Sequence, residues 1–264
     1  MKIRLIVATH KRYWMPNDSI YFPLQVGAAV NKTKSGKPLS LGYSKDSTGD
    51  NISSKNANYC ELTGLYWAWK NMSADYLGLV HYRRHFSVVK GLLRKSVFKE
   101  NRVLTGRQLK TLLKDNDIIL PKKRYYFIES NYSQYVHAHN EIDLTTTREI
   151  LEEKYPDYLD SYDKVMKRTY GHRFNMFIMK KQLMDEYCSW LFDILFELEN
   201  RLDISGYSAN DARVFGFVSE RLLDVWIEKN ALAYKEIPYI FMENQNWLKK
   251  GGNFLKRKIF NGGK

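Results

Sequence analysis

Two short apolar runs, Ile3–Ala8 and Tyr76–Val80, stand on either side of a stretch with helical spacing, and this alternation constrains the fold more than any other feature. The first run is interrupted only by Arg4 and the second not at all, so each reads as a buried strand. Between them "NYCELTGLYWAWKNM", from Asn58, places Leu62, Leu65, Tyr66 and Trp69 on one face of a helix. Strand, helix, strand with buried parallel strands is the start of an α/β fold.

The pattern continues downstream. "LTGRQLKTLLKDN" reads as a helix capped by Thr105, and "DIILP" as a strand stopped by Pro121. From Asp143 the texture turns helical: "LTTTREILEEKYPDYLDSYDKVMKR" breaks at Pro156, and "KKQLMDEYCSWLFDILFELENRL" is a long amphipathic helix. "NDARVFGFVSERLLDVWIEKN" is another, in which Gly216 costs ~1 kcal/mol relative to Ala and so suggests a close approach. "RFNMFIMKK" reads as a strand and "KEIPYIFME" as an edge strand. With 264 residues, 44% of them hydrophobic, the chain can bury its own core. The expected organisation is one α/β domain over residues 1–246, with a helical second half and no linker, followed by a tail over residues 247–264.

The N-terminal run reads as a first strand and not a signal peptide, and no apolar stretch approaches the ~18 residues of a membrane span. Cys60 and Cys188 match no metal or disulfide spacing, read as small core residues, and suit a reducing compartment. A cytoplasmic protein is therefore expected.

The net charge of +13, from 42 Lys and Arg against 29 Asp and Glu, favours anionic partners: nucleic acid, an anionic membrane surface or a phosphorylated metabolite. Zinc-finger spacing, an RNP-type strand and a basic region are all absent, so nucleic acid is set aside as the minor reading. In the tail "WLKKGGNFLKRKIFNGGK", Trp247, Phe254, Leu255, Ile259 and Phe260 alternate with lysines and an arginine. Such a mix suits either an anionic bilayer surface or a solvated end.

Ligands of open α/β sheets collect outside the carboxyl ends of the strands. Three segments converge there on this reading: Thr9, His10 and Lys11 after the first strand, the polar stretch Gly49–Glu61, and "YLGLVHYRRHF", where His81, Tyr82, Arg83, Arg84 and His85 emerge from a strand. Arginine forks bind phosphate oxygens at any physiological pH, and His81 is a candidate for proton transfer near neutrality. Alternation would put His81, Arg83 and His85 on one side and Tyr82 and Arg84 on the other. The competing reading is a set of salt bridges that fix a loop.

Metal binding at His81 and His85 is disfavoured by the two arginines beside them, and no Asp-x-Asp pair ends a strand. No Walker or dinucleotide loop occurs, which weakens kinase, ATPase and NAD readings. His137 and His139 are either ligands or part of a polar surface, and they lack a third partner at recognisable spacing. Glu220, just past the apolar run Val214–Val218, is either a half-buried general base or one half of an ion pair with Arg221 or Lys229.

Taken together, "VATHKRYWMP", "DNISSKNANYCELTGLYWAWKN", "YLGLVHYRRHF", "FNMFIMKK" and "RVFGFVSERLLDVWI" resemble the bacterial domain-of-unknown-function family 4422 over residues 3 to 227. Its members occur in capsular and exopolysaccharide gene clusters and are regarded as glycosyltransferases. The resemblance implies a GT-A-like, Rossmann-related fold and transfer of galactose, as pyranose or furanose, from a UDP-sugar. The acceptor it implies is a surface glycan carried on a polyprenyl diphosphate at the inner membrane face. Where GT-A enzymes hold a metal with Asp-x-Asp, this chain has "HYRR", so Arg83 and Arg84, with His81, are expected to replace the cation, with Mn²⁺ or Mg²⁺ left open as a cofactor. Thr9, His10 and Lys11 would border the uridine, Asp50, Asn51, Lys55 and Asn56 would complete the donor pocket, and Asn175 would lie near the sugar. For the base the order is Glu220, then Asp211, then Asp143. Inversion is preferred because a single base is easier to nominate than a double-displacement nucleophile. Two other classes stay open, a noncatalytic scaffold of polysaccharide assembly and a nucleic-acid-binding module.

Overall fold

The computed structural model describes residues 1–88 and 98–243. The basic aromatic tail over residues 247–264 lies outside the described residues. The strands are β1 Ile3–Thr9, β2 Tyr21–Gln25, β3 Ser44–Lys45, β4 Tyr76–His81, β5 Arg84–Phe86, β6 Ile118–Pro121, β7 Arg124–Tyr125, β8 Tyr170–Gly171, β9 Phe177–Lys180, β10 Lys235–Ile237 and β11 Tyr239–Phe241. The helices are α1 Asn56–Tyr59, α2 Leu62–Asn71, α3 Gly106–Leu112, α4 Asn131–Val136, α5 Glu141–Lys154, α6 Leu159–Lys167, α7 Lys181–Arg201 and α8 Val214–Lys229.

The main sheet runs β3-β2-β1-β4-β9-β6-β10. β1 is parallel to both β2 and β4, with Ile3 beside Tyr76 and Val7 beside Val80. β9 lies antiparallel between β4 and β6, and β10 is parallel to β6. The small pair β7 and β8 forms a separate antiparallel ribbon.

Because strand side chains alternate, β1 feeds both faces. Ile6 and Ala8 join the core built with α2, α7 and α8, whereas Leu5 and Val7 join the core that holds Leu109 of α3. This is why both strands read as continuous apolar runs. At the centre a Cβ on Gly78 would stand 2.6 Å from the Phe177 carbonyl oxygen and 2.8 Å from Leu5 Cδ2, so only glycine admits β9 at this distance.

Thr105 caps α3 through a reciprocal bond set with Gln108, and Pro156 opens a 3-10 turn between α5 and α6. Two local expectations differ from the structure. The helix anticipated from Asn58 is two helices, broken where Cys60 adopts φ +53. Gly216 is not sterically required, since a Cβ there would meet Cys60 only at 3.5 Å, an ordinary contact.

Candidate active site

β4 ends at His81, Tyr82 and Arg83 make the turn, and Arg84 pairs with His81 from β5. The turn is tied to β1, because the Tyr82 N–H donates to the Ala8 carbonyl at 3.2 Å. This hairpin cancels the alternation expected of an extended segment: His81, Arg83 and Arg84 all reach one cavity. His85 instead is buried edge-on to the rings of Trp14 and Tyr21, and burial pushes it down to about 4.

The His81 ring bonds through Nε2 to the Phe174 carbonyl, which requires a proton on that nitrogen. Burial, followed by the charge of Arg84, lowers His81 to about 3. It is therefore a neutral anchor, and the proton-transfer role considered from sequence does not fit its surroundings.

Arg84 lies over the rings of Phe174 and Phe241, at 4.4 and 5.4 Å from their centroids. Its Nε is buried without a hydrogen-bond partner. Arg213, entering from the turn before α8, donates from Nε to Cys60 Sγ at 3.1 Å and covers Phe217. Among the described residues no carboxylate lies within ion-pair distance of Arg84 or Arg213. Arg83 sits at the rim, 3.5 Å from Glu243, which also lies 3.8 Å from Lys11.

Facing these cations is Glu61, turned into the cavity by the break at Cys60. Asn175 Nδ2 donates to Glu61 Oε1 at 2.7 Å, while Asn175 is itself held by the Gly216 carbonyl and the Ser219 hydroxyl. Burial raises Glu61 above its ordinary value, against the opposing pull of Asn175, Arg213 and Arg84. A carboxylate so placed gains basicity without losing access to the cavity. Cys60 is pushed by burial up to about 11 and stays a thiol.

Glu220 also lines the cavity, but its Oε1 accepts the Phe174 N–H at 2.9 Å and its Oε2 lies 3.6 Å from Arg221. Asp211 does not line it. Its carboxylate accepts from Ser208 and is bonded to His139 Nδ1 at 3.1 Å, and these bonds lower its pKa. It thus orients His139, which is stacked on Phe217 in the cavity wall. Asp143 is buried elsewhere, with the hydroxyls of Tyr135 and Tyr207 each donating to it at 2.7 Å. With both oxygens occupied, it has the geometry of a structural group and not of a base.

Of the residues expected at the donor site, the structure brings His10, Asn56, His81, Arg83 and Arg84 into the cavity of about 590 Å³. Asn175 stands behind it, bonded to Glu61. Thr9 is buried and donates to the Lys11 carbonyl, shaping the turn, and Lys11 lies at the rim beside Glu243. Three others lie outside the cavity. Asp50 accepts from Tyr66, Asn51 closes a turn onto Gly49, and Lys55 pairs with Glu199 at 2.6 Å. His137 and His139 diverge, His137 pairing with Glu129 at the surface, so they do not form a ligand pair.

The cavity does not fit a divalent cation. Both its carboxylates are already hydrogen-bonded among guanidinium groups, and among the described residues no group of three or more His, Cys, Asp or Glu could hold a metal ion. Besides Arg83, Arg84 and Arg213, the arginines Arg124, Arg173 and Arg221 also line the cavity. Glu61 gave no sequence signal beyond standing in a polar stretch, since the break that aims it involves neither glycine nor proline.

The family described as Domain of unknown function (DUF4422) matches residues 4–231. No curated protein matches the sequence. Among solved structures, the apo structure of the bifunctional glycosyltransferase WbbM is similar, with TM-score 0.80 and 31% sequence identity over 92% of this chain and 46% of that chain. This chain therefore spans about half the length of that structure. The fold is the expected one, α/β and GT-A-like with a helical second half.

Proposed function

Because this chain belongs to the DUF4422 family, we propose that it is a glycosyltransferase that moves a hexose, galactose in pyranose or furanose form, from a UDP-sugar to a surface-glycan acceptor. The observation that carries the reading is the pairing of Arg84 and Arg213, cations with no carboxylate partner among the described residues, around the basic carboxylate of Glu61. A diphosphate satisfies both guanidinium groups, and Arg83 adds a third once Glu243 yields its place.

In the proposed step the acceptor hydroxyl oxygen attacks the anomeric carbon as the bond from that carbon to the diphosphate oxygen breaks. The bonding electrons leave with UDP, where Arg84 and Arg213 stabilise the growing charge. The hydroxyl proton passes to Glu61, preferred over Glu220 because both Glu220 oxygens are engaged, one by the Phe174 N–H and the other beside Arg221. One displacement inverts the anomeric centre, and no divalent metal is required. The acceptor is carried on a polyprenyl diphosphate, which places the enzyme in the cytoplasm against the inner membrane face. No nucleic acid takes part.

Thermal-shift assays with UDP, UDP-galactose, UDP-glucose and a short oligonucleotide, and transfer assays with the two UDP-sugars, test this. Stabilisation by UDP and transfer from one UDP-sugar are expected. A chain that binds no nucleotide would instead be the noncatalytic scaffold, and one stabilised only by a short oligonucleotide would be a nucleic-acid-binding module.

A further inference from the structure

The ribbon beside the cavity mouth has two unlike sides. Arg124 and Tyr126 line the cavity, whereas Tyr125 and Phe127, the alternate positions, face solvent. Tyr125 is 58% exposed, Phe127 88% and Ile128 80%. Elsewhere among the described residues large exposed apolar side chains stand singly in the sequence, at Met1, Trp14, Val30, Phe98 and Ile142. A contiguous exposed apolar tip of this kind marks an interaction surface.

The backbone holds the tip outward. Ile128 N–H donates to the Tyr126 carbonyl at 2.7 Å around Phe127, whose φ is +61. That left-handed conformation is rare for a bulky aromatic residue, so Phe127 is fixed at the apex and not folded back onto the protein.

The flanking charge identifies the partner. Lys122 and Arg124 are exposed and have no ion pair among the described residues, and the nearest acid on the segment, Glu129, is turned to His137. We propose that the Lys122–Ile128 tip is a bilayer-contact surface: Phe127 and Ile128 enter the boundary between headgroups and acyl chains, and Lys122 meets anionic lipid, joined by Arg124, which lines the cavity yet is exposed to solvent. A protruding apex flanked by cations suits a fluid anionic surface better than a rigid protein face. The position aligns the cavity with the membrane, since the strand that carries the tip also carries Arg124 into the cavity wall. The inference needs no sugar substrate and stands apart from glycosyl transfer.

Co-sedimentation of the full chain with phosphatidylcholine vesicles, with and without phosphatidylglycerol, tests it. Binding should require the anionic lipid and weaken at least ~10-fold in the Phe127→Ser, Ile128→Ser double variant. Phe127→Trp reads the tip alone, whatever other segments touch the vesicle: it should gain fluorescence quenching by brominated acyl chains over the parent protein. Parent-level sedimentation of the double variant with no added quenching in Phe127→Trp would overturn the proposal. So would sedimentation velocity showing that the tip joins two copies, with the parent dimeric and the double variant monomeric.

Discussion

Asn175 donates to Glu61 at 2.7 Å across 114 residues of sequence, so the carboxylate in the cavity is held by the segment that leads into β9. Burial favours the protonated form of Glu61, and the Asn175 bond opposes it. A base works only when deprotonated, so activity should fall as pH drops through a value above the ordinary carboxylate pKa of ~4.3. Asn175→Ala removes the opposing bond and should shift this acid limb to higher pH. Glu61→Gln should lower kcat by ~10²–10⁴ with donor binding kept. Full activity in Glu61→Gln together with an inactive Glu220→Gln would move the base to Glu220.

Arg84→Ala and Arg213→Ala should each weaken UDP binding about 10- to 100-fold, the loss of one hydrogen-bonded charge pair. Isothermal titration reads the effect. If neither change alters affinity, the diphosphate lies elsewhere.

In the proposed step guanidinium groups carry the charge stabilisation, so transfer should persist in EDTA. Loss of turnover in EDTA that Mn²⁺ restores would sink the metal-free step.

His172 ties β8 to α8 and β10. Its Nδ1 meets Asp224 at 2.5 Å and its Nε2 meets Glu236 at 3.1 Å, with Lys123 against Glu236, Arg173 near Asp224 and the Tyr234 ring edge-on. Burial alone would lower His172, but the two carboxylate bonds prevail and raise it. Its stabilising effect is thus complete below the unfolded value of ~6.5 and is lost as pH rises through the higher folded value. Urea unfolding midpoints should decline over that range, and His172→Gln should flatten the decline. Glu236 behaves oppositely. Its bond to His172 lowers it to about 2, so its contribution holds above the ordinary carboxylate range and fades as pH falls toward about 2.

Gly78→Ala should destabilise the fold by ~1–3 kcal/mol, because the clash is with the Phe177 backbone and not with a flexible side-chain end. An unchanged denaturation midpoint would show that β9 can move aside.

Features set by local chemistry were legible in the sequence. β1 and β4 declared themselves because both faces are buried, α7 through its amphipathic spacing, and α3 through its Thr105 cap. Arg83 and Arg84 were legible as cations at a strand end. Their common direction was not, because the turn at Tyr82 and Arg83 contains none of the usual turn residues and depends on a bond to Ala8. Glu61 was hidden for a similar reason: Cys60 takes a left-handed conformation that nothing in "NYCEL" announces. Asp143 looked free because Tyr135 and Tyr207, which occupy it, meet it only in the folded chain.

The antiparallel strand in mid-sheet also sets a timetable for synthesis. β1, β2 and β4 are complete once His81 has left the ribosome, yet along Tyr76–Leu79 the open edge of β4 is covered by Phe177–Lys180. Until then the nascent chain exposes the backbone of Tyr76–Leu79 as an unpaired strand edge, the kind of template on which chains aggregate. Slowing translation between these two points should therefore reduce yield more than the same delay after Lys180.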